Sequence, residues 1–129
     1  MVQFNTKIAY ESIITNFASG NLKDIKYLLD KNVFNQFDEA IKDRKNKSFL
    51  SETTFIGINS ADIKNHVQNN NILEVTVNFV SEIISCVRDK DKKIISGDPD
   101  VIKKVKDTWK FSKDIKSNNP NWLLIDTQV

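Results

Sequence analysis

Three glycines, two prolines and a single cysteine are all that 129 residues contain of these types. With only Cys86, no disulfide forms within the chain and no cysteine-built metal site exists. Cys86 is expected as a small buried strand residue. His66 is the only histidine, so a three-histidine metal set is excluded, and no spacing of His with carboxylates resembles a zinc or iron site. Glycine occurs only at Gly20, Gly57 and Gly97, too few and too scattered for a phosphate-binding loop. No nucleophile motif accompanies His66, which leaves a Ser-His-Asp arrangement without support. Arginine is scarce as well: Arg44 and Arg88 stand against 17 lysines. No basic stripe is interleaved with exposed aromatics, so nucleic acid is not expected as a partner. No stretch approaches the roughly 20 apolar residues that span a bilayer. Met1 leads at once into polar, helix-compatible sequence, so no signal peptide is expected.

What remains is one domain's worth of chain, long enough to bury a core without staples. Lysine, asparagine and isoleucine have AT-rich codons. Their abundance points to an AT-rich genome, as in many host-dependent bacteria, rather than to a binding chemistry. The net charge of +2 is small, but lysines cluster locally. Lys42, Arg44, Lys45 and Lys47 oppose only Asp43. Lys90, Lys92 and Lys93 oppose Asp89 and Asp91. Lys103, Lys104, Lys106, Lys110, Lys113 and Lys116 are partly offset by Asp107 and Asp114. Such runs are either solvated faces or contacts for an anionic surface, where each lysine adds about 1 kcal/mol.

The first third reads as helix. Phe4, Ile8, Ile13, Phe17 and Ala18 fall near one face at steps of three to five. Gly20 supplies the stop, because a helix end often needs a left-handed residue. Asn21 is placed to cap a second helix, and Asp24 suits its positive N-terminus. Leu22, Ile25, Leu28 and Leu29 repeat the apolar stripe. A third stripe, Val33, Phe34, Phe37, Ala40 and Ile41, ends in the polar run Lys42 to Lys47. Helices are expected over about residues 3 to 45.

The rest reads as strand. Thr53 to Ile58 is rich in β-branched and aromatic residues, and Asn69-Asn70-Asn71 is a turn signal. Leu73, Val75, Val77 and Phe79 alternate with Glu74, Thr76 and Asn78, placing one face on a core. Val80, Ile84 and Cys86 are apolar in the opposite phase. A β-bulge near Val80 to Glu82 restores the register and bends this strand, expected from about 72 to 88. Arg88 to Lys93 is a charged hairpin tip. Gly97-Asp98-Pro99-Asp100 reads as a turn, with Pro99 presetting φ and Asp98 bonding the backbone two residues on. Val101 to Val105 is either a short helix or a strand start. Trp109 and Phe111 share one face, and Trp122 to Asp126 closes the sheet. Helices followed by a bent antiparallel sheet give an α+β class.

The ordered set of these pieces resembles one family. Phe4-x3-Ile8-x8-Phe17-x2-Gly20-Asn21-Leu22-x5-Leu28-Leu29 looks like its opening, with Asn21 where Asp is commoner. Phe37-x2-Ala40-Ile41-x2-Arg44 looks like its helix end. Val75-Thr76-Val77-x-Phe79, Arg88-Asp89, Gly97-Asp98-Pro99-Asp100 and Trp109-Lys110-Phe111 look like its middle strand, turn and closing strands. The family is the Tim44-like domain: the C-terminal domain of the tether of the mitochondrial presequence-import motor, with its bacterial relatives. The resemblance runs over about residues 4 to 127. It implies a cone-shaped, nuclear-transport-factor-two-like fold, with N-terminal helices packed on a strongly bent antiparallel sheet. Family members are usually longer, with an N-terminal anchor or targeting segment and a linker. The 129 residues are therefore expected to be the folded domain.

The resemblance also implies a role. The mitochondrial member recruits the import motor's chaperone to the translocation channel and binds cardiolipin-rich membrane, and another family branch sits on the membrane-facing side of the mitochondrial ribosome. The expectation is a non-enzymatic, peripheral inner-membrane binding or scaffold domain related to protein translocation. Its expected partners are an anionic, cardiolipin-like lipid surface and proteins of a translocation or membrane-assembly system. No cofactor, metal or catalytic residue is expected. Lys42, Arg44, Lys45 and Lys47 are the candidate membrane contacts. Phe17, Phe34, Phe37, Phe79, Trp109 and Phe111 are first of all core, and they are the candidates to line a pocket between helices and sheet. The alternative is a small-molecule enzyme, isomerase- or dehydratase-like, using Asp62 or Asp107 as a buried base in the same cone. Fold alone does not choose between the two.

Overall fold

The computed structural model describes residues 2–128, with side chains described from Thr6 onward. The expected packing of Phe4 lies outside the described side chains. Helix α1 spans Val2–Ser19, a 3-10 helix spans Lys23–Leu28 and helix α2 spans Lys31–Asn46. Four strands follow: β1 Leu50–Asn69, β2 Ile72–Arg88, β3 Ile94–Asp114 and β4 Leu123–Asp126. They pair antiparallel in the order β1-β2-β3-β4. The α+β class holds, with the helices packed on one four-stranded antiparallel sheet.

Local chemistry sets the helix ends. Gly20 stops α1 with φ at +81°, a conformation open to a residue without Cβ. Asn21 Oδ1 accepts from the Asp24 N–H at 3.4 Å, and Asn21 Nδ2 donates to Asp24 Oδ2 at 2.7 Å. The second helix is 3-10 rather than α. Leu22, Ile25 and Leu28 are buried at a spacing of three, which matches three residues per turn. Leu29, also buried, then becomes extended and bridges Leu124, and the Asp30 N–H donates to the Leu124 carbonyl at 3.0 Å. Asp30 also caps α2, its Oδ1 accepting from the Val33 N–H at 2.8 Å, as N-caps do.

Helix α1 buries Ile13 and packs Phe17 against the core as its apolar spacing suggests, but its buried face is turned away from Ile8. Ile8 is 54 % exposed, whereas Thr6, Ala9, Tyr10 and Ile13 are buried. Tyr10 and Ile8 are two residues apart and so lie on opposite sides of the helix. An apolar stripe drawn without tyrosine therefore passes over the residue at the centre of the interface.

Strand β2 runs over the expected residues, but its expected bulge near Val80 to Glu82 is absent. From Ile72 to Ile83, β2 pairs with β3 without interruption. Ser81 is fully buried and keeps the core phase of Val75, Val77 and Phe79. A hydroxyl in a core position looks like a slip when only apolar residues are tracked. The extra residues sit on the neighbours instead. Strand β1 bulges at Ile56, Asn59 and Lys64. Strand β3 has an extra residue at Ile95, and its residues 99–102 loop out opposite Ile84. Bulges increase local twist and bend a strand, so the sheet's curvature originates on both sides of β2.

The Gly97-Asp98-Pro99-Asp100 segment thus leads into a loop-out within one long strand, Gly97 and Asp98 still pairing with Cys86 and Ser85. Val101 to Val105 belongs to that same strand. Asp98 Oδ1 accepts from the Asp100 N–H at 2.9 Å, which holds the turn. Gly97 has φ at +79°, and a Cβ there would lie 2.3 Å from the Ser85 carbonyl oxygen. Only glycine fits.

The core lies between the helices and one face of the sheet. Ile13, Ile25 and Val33 meet Val75, Val77, Phe79, Trp109, Phe111 and Leu124. Trp109 is 5 % exposed, on the strand phase of fully buried Phe111. Trp109→Ala should cost about 3–5 kcal/mol in chemical denaturation, the usual range for a buried aromatic, and a loss below about 1 kcal/mol would contradict this packing.

Candidate functional site

Tyr10 is the polar centre of an otherwise apolar interface. Its ring stacks on Phe79 at 4.2 Å between centroids with an interplanar angle of 17°, and lies 4.6 Å from the Trp109 ring. Its hydroxyl donates to Asp107 Oδ2 at 2.5 Å. The same hydroxyl lies 2.9 Å from Ser81 Oγ. With the tyrosine proton given to Asp107, the Ser81 hydroxyl is the donor in that second bond. Burial, and then the hydrogen bond to Asp107, push the Tyr10 hydroxyl well above its ordinary pKa. Ser81 acts in the opposite direction and does not reverse the shift.

The candidate aromatic residues divide into two groups. Phe79, Trp109 and Phe111 are buried around Tyr10. Phe17, Phe34 and Phe37 are partly buried at the core margin. Phe17 and Phe37 lie 4.7 Å apart, and Lys26 Nζ stands 5.5 Å from the Phe34 ring. The space that a hollow cone would leave beneath α1 is occupied by Tyr10, Phe79 and Trp109. A cavity of about 480 Å³ opens farther along, between the C-terminal end of α1 and the sheet. Thr15, Ser19, Ser51, Thr53 and Glu52 give it a hydroxyl-rich wall, which Cys86 also lines. The Cys86 thiol is buried and donates to Glu52 Oε1 at 3.3 Å. Burial, then Glu52, raise its pKa, so it is poorly suited to act as a thiolate. Glu52 also accepts from Arg88 Nε at 2.9 Å, and this bond holds its carboxyl below the usual range.

The basic residues at the end of α2 are not four equivalent free cations. Lys42 pairs with Asp38 at 2.8 Å and Lys47 with Asp43 at 3.0 Å. Arg44 turns inward, donating to the Phe17 carbonyl at 2.8 Å with its guanidinium 5.0 Å from the Phe17 ring. Lys45 is exposed and makes no ion pair among the described residues. Exposed i,i+4 pairs are weak and open readily, so Lys42 and Lys47 can still meet an anionic surface. Arg44 cannot without giving up its internal bond.

The two candidate carboxylates border one depression of about 480 Å³, together with Lys64, Asn78, Lys106 and Thr108. Asp107 is committed to Tyr10, and Asp62 is exposed on β1. His66 is exposed on the same strand. Among the described residues, no three His, Cys, Asp or Glu side chains come together as a metal-binding group. Sequence reasoning missed Tyr10 and Ser81. The available signal was their phase: Tyr10 stands three residues before Ile13 on α1, and Ser81 two after Phe79 on β2.

The Tim44-like domain model matches residues 2–129. The chain belongs to the Tim44-like domain family. Among solved structures, this Tim44-like domain is similar to the intermembrane space region of the chloroplast protein ARC6, with a TM-score of 0.55 and 10% identity over 93% of this chain and 92% of that one. That likeness concerns the fold alone, helices packed on one four-stranded antiparallel sheet. A provisionally named NTF2-like transpeptidase from Campylobacter jejuni gives a TM-score of 0.38 and 12% identity over 95% of this chain and 99% of that one. No curated protein matches the chain in sequence.

Tyr10→Phe should cost about 1–3 kcal/mol, because it strands the buried Ser81 hydroxyl and leaves Asp107 without its donor. The pH dependence has a definite sign. Tyr10 ionises far less readily when folded, so its contribution is complete below the ordinary tyrosine pKa of about 10 and is lost as pH rises above it. The stability gap between wild type and Tyr10→Phe should therefore narrow above about pH 10 in chemical denaturation. A gap that stays constant or widens there would contradict the burial of this hydroxyl.

Proposed function

We propose that this Tim44-like domain is a non-enzymatic binding scaffold at a membrane, related to protein translocation and peripheral to an inner membrane. The observation that carries the reading is the family match over residues 2–129. The packing is compatible with it: Tyr10, Phe79 and Trp109 fill the space beneath the middle of α1, and the remaining cavities open at the end of α1 and along the sheet. Its partners in this reading are an anionic, cardiolipin-like lipid surface and proteins of a translocation or membrane-assembly system. Among the described residues no helix is long and apolar enough to cross a membrane, so contact by this domain is made from the bilayer surface. The exposed lysines supply the electrostatic part, about 1 kcal/mol each near an anionic leaflet.

One observation favours a second reading, a small-molecule enzyme. Asp62 and Asp107 border the same depression. The two readings differ in what Asp107 does. As a base it is needed for turnover; as the acceptor for Tyr10 it is needed only for stability.

In flotation, the chain should rise with vesicles of phosphatidylcholine mixed with cardiolipin and stay behind with phosphatidylcholine alone. Binding should weaken as salt rises, since the screening length falls from about 10 Å at 0.1 M to about 3 Å at 1 M. Equal binding to both vesicles, or binding indifferent to salt, would contradict the electrostatic part of this reading.

A further inference from the structure

We propose that the membrane-contacting surface is centred on the end of the sheet where β2 turns into β3 and β3 loops out, and not on the lysine run of α2, which meets this end only at Leu50, beside Arg44 and Lys45. This inference rests on the membrane reading above and names the part of the molecule that carries it. Twelve large hydrophobic side chains are exposed among the described residues. Five of them, Leu50, Ile94, Ile95, Val101 and Ile102, gather at this end, each between 41% and 57% exposed. The pairing explains the gathering. Leu50 and Ile94 are both register partners of Arg88, one on each side of β2. Ile95 is the extra residue of one β3 bulge, and Val101 and Ile102 belong to the loop-out after Asp98. Bulged residues leave the regular alternation, so neighbouring aliphatic side chains emerge together instead of on opposite faces.

The loop-out is a built feature. Gly97 at φ +79° lets the strand pass against the Ser85 carbonyl, and Asp98 ties down the Asp100 N–H. On the β2 side it leaves a groove of about 410 Å³, bordered by Ile83, Val87, Val101, Ile102 and Lys103.

Lysines flank both aliphatic pairs, in the order Lys92-Lys93-Ile94-Ile95 and Val101-Ile102-Lys103-Lys104. From Arg88 to Lys106 the segment carries seven basic side chains against Asp89, Asp91, Asp98 and Asp100. Asp89 and Asp98 are engaged by backbone N–H groups of their own turns. Among the described residues, Lys90, Lys92, Lys93, Lys103 and Lys104 are exposed and make no ion pair; on α2 this holds for Lys45, whereas Lys42 and Lys47 are paired. Exposed aliphatics rimmed by unpaired lysines fit the interface of an anionic bilayer. The aliphatic side chains enter the acyl boundary, and the lysines extend to the lipid phosphates. A purely apolar partner would leave those cations unmatched, which favours the anionic lipid surface over an apolar protein groove.

The test compares two double variants of the full chain at unchanged charge, by flotation on phosphatidylcholine vesicles with and without cardiolipin. Ile95→Ser with Ile102→Ser should weaken binding to the anionic vesicles by about tenfold. Ile63→Ser with Val67→Ser removes two similarly exposed aliphatics from β1, and should weaken it by less than about twofold. Ile102→Cys carrying an environment-sensitive fluorophore should shift to the blue on anionic vesicles, and the same label on Val67→Cys should not. This labelled readout needs only a single exposed substitution. Undiminished binding by the Ile95/Ile102 variant, or a blue shift at Val67 alone, overturns the surface assignment and leaves the membrane reading standing. Wild type that stays behind with both vesicles overturns both. A loss in the Ile95/Ile102 variant only toward an added protein, with vesicle binding intact, makes this end a protein-docking face and also overturns the proposal.

Discussion

The hydroxyl of Tyr10 is the constraint from which the rest of the arrangement follows. It stands on α1 and bonds Ser81 of β2 and Asp107 of β3 at once. A buried hydroxyl without partners would be costly, and here both partners are provided in strand phase. Ser81 follows Phe79, and Asp107 precedes Trp109, each by two residues on the same face. The aromatic ring between these bonds then stacks on Phe79 and lies against Trp109. One side chain thus fixes the helix on two central strands and fills the volume beneath it.

That filling shapes where recognition can occur. In a cone left hollow, an aspartate facing the helices is free for chemistry. Here the aspartate is an acceptor for a tyrosine, and the remaining cavities lie toward the end of α1 and along the sheet. The end of the sheet where β2 turns into β3 has the opposite character from the core. Bulges at Ile95 and after Asp98 turn aliphatic side chains outward among unpaired lysines. The bulges thus serve two ends: they bend the sheet around its core, and they build an exposed apolar patch with a basic rim.

Much of this was legible in the residues. The class, the extent of β2, the Gly20 stop, the Asn70 turn and the burial of Trp109 follow from local chemistry and strict alternation. What was not legible shares one cause. Tyr10 and Ser81 are polar residues in core positions, and a reading built on apolar periodicity treats them as surface or as a slip. It therefore chose Ile8 for the buried face of α1 and put the bulge into β2, where Ser81 in fact keeps the phase. The pairing of Lys42 and Lys47, and the inward turn of Arg44, depend on Asp38, Asp43 and the Phe17 carbonyl. Only the last of these partners is distant in sequence, but side-chain direction decides all three.

The central claim is that Asp107 is held as the acceptor for Tyr10, so the space beneath α1 is structural. A double-mutant cycle with Tyr10→Phe and Asp107→Ala, read by chemical denaturation at neutral pH, measures that coupling directly. The account predicts a coupling of about 1.5–3 kcal/mol, the range for a hydrogen bond to a charged group. Strictly additive effects, with coupling near zero, would contradict it and leave the Asp107 carboxylate free for other work.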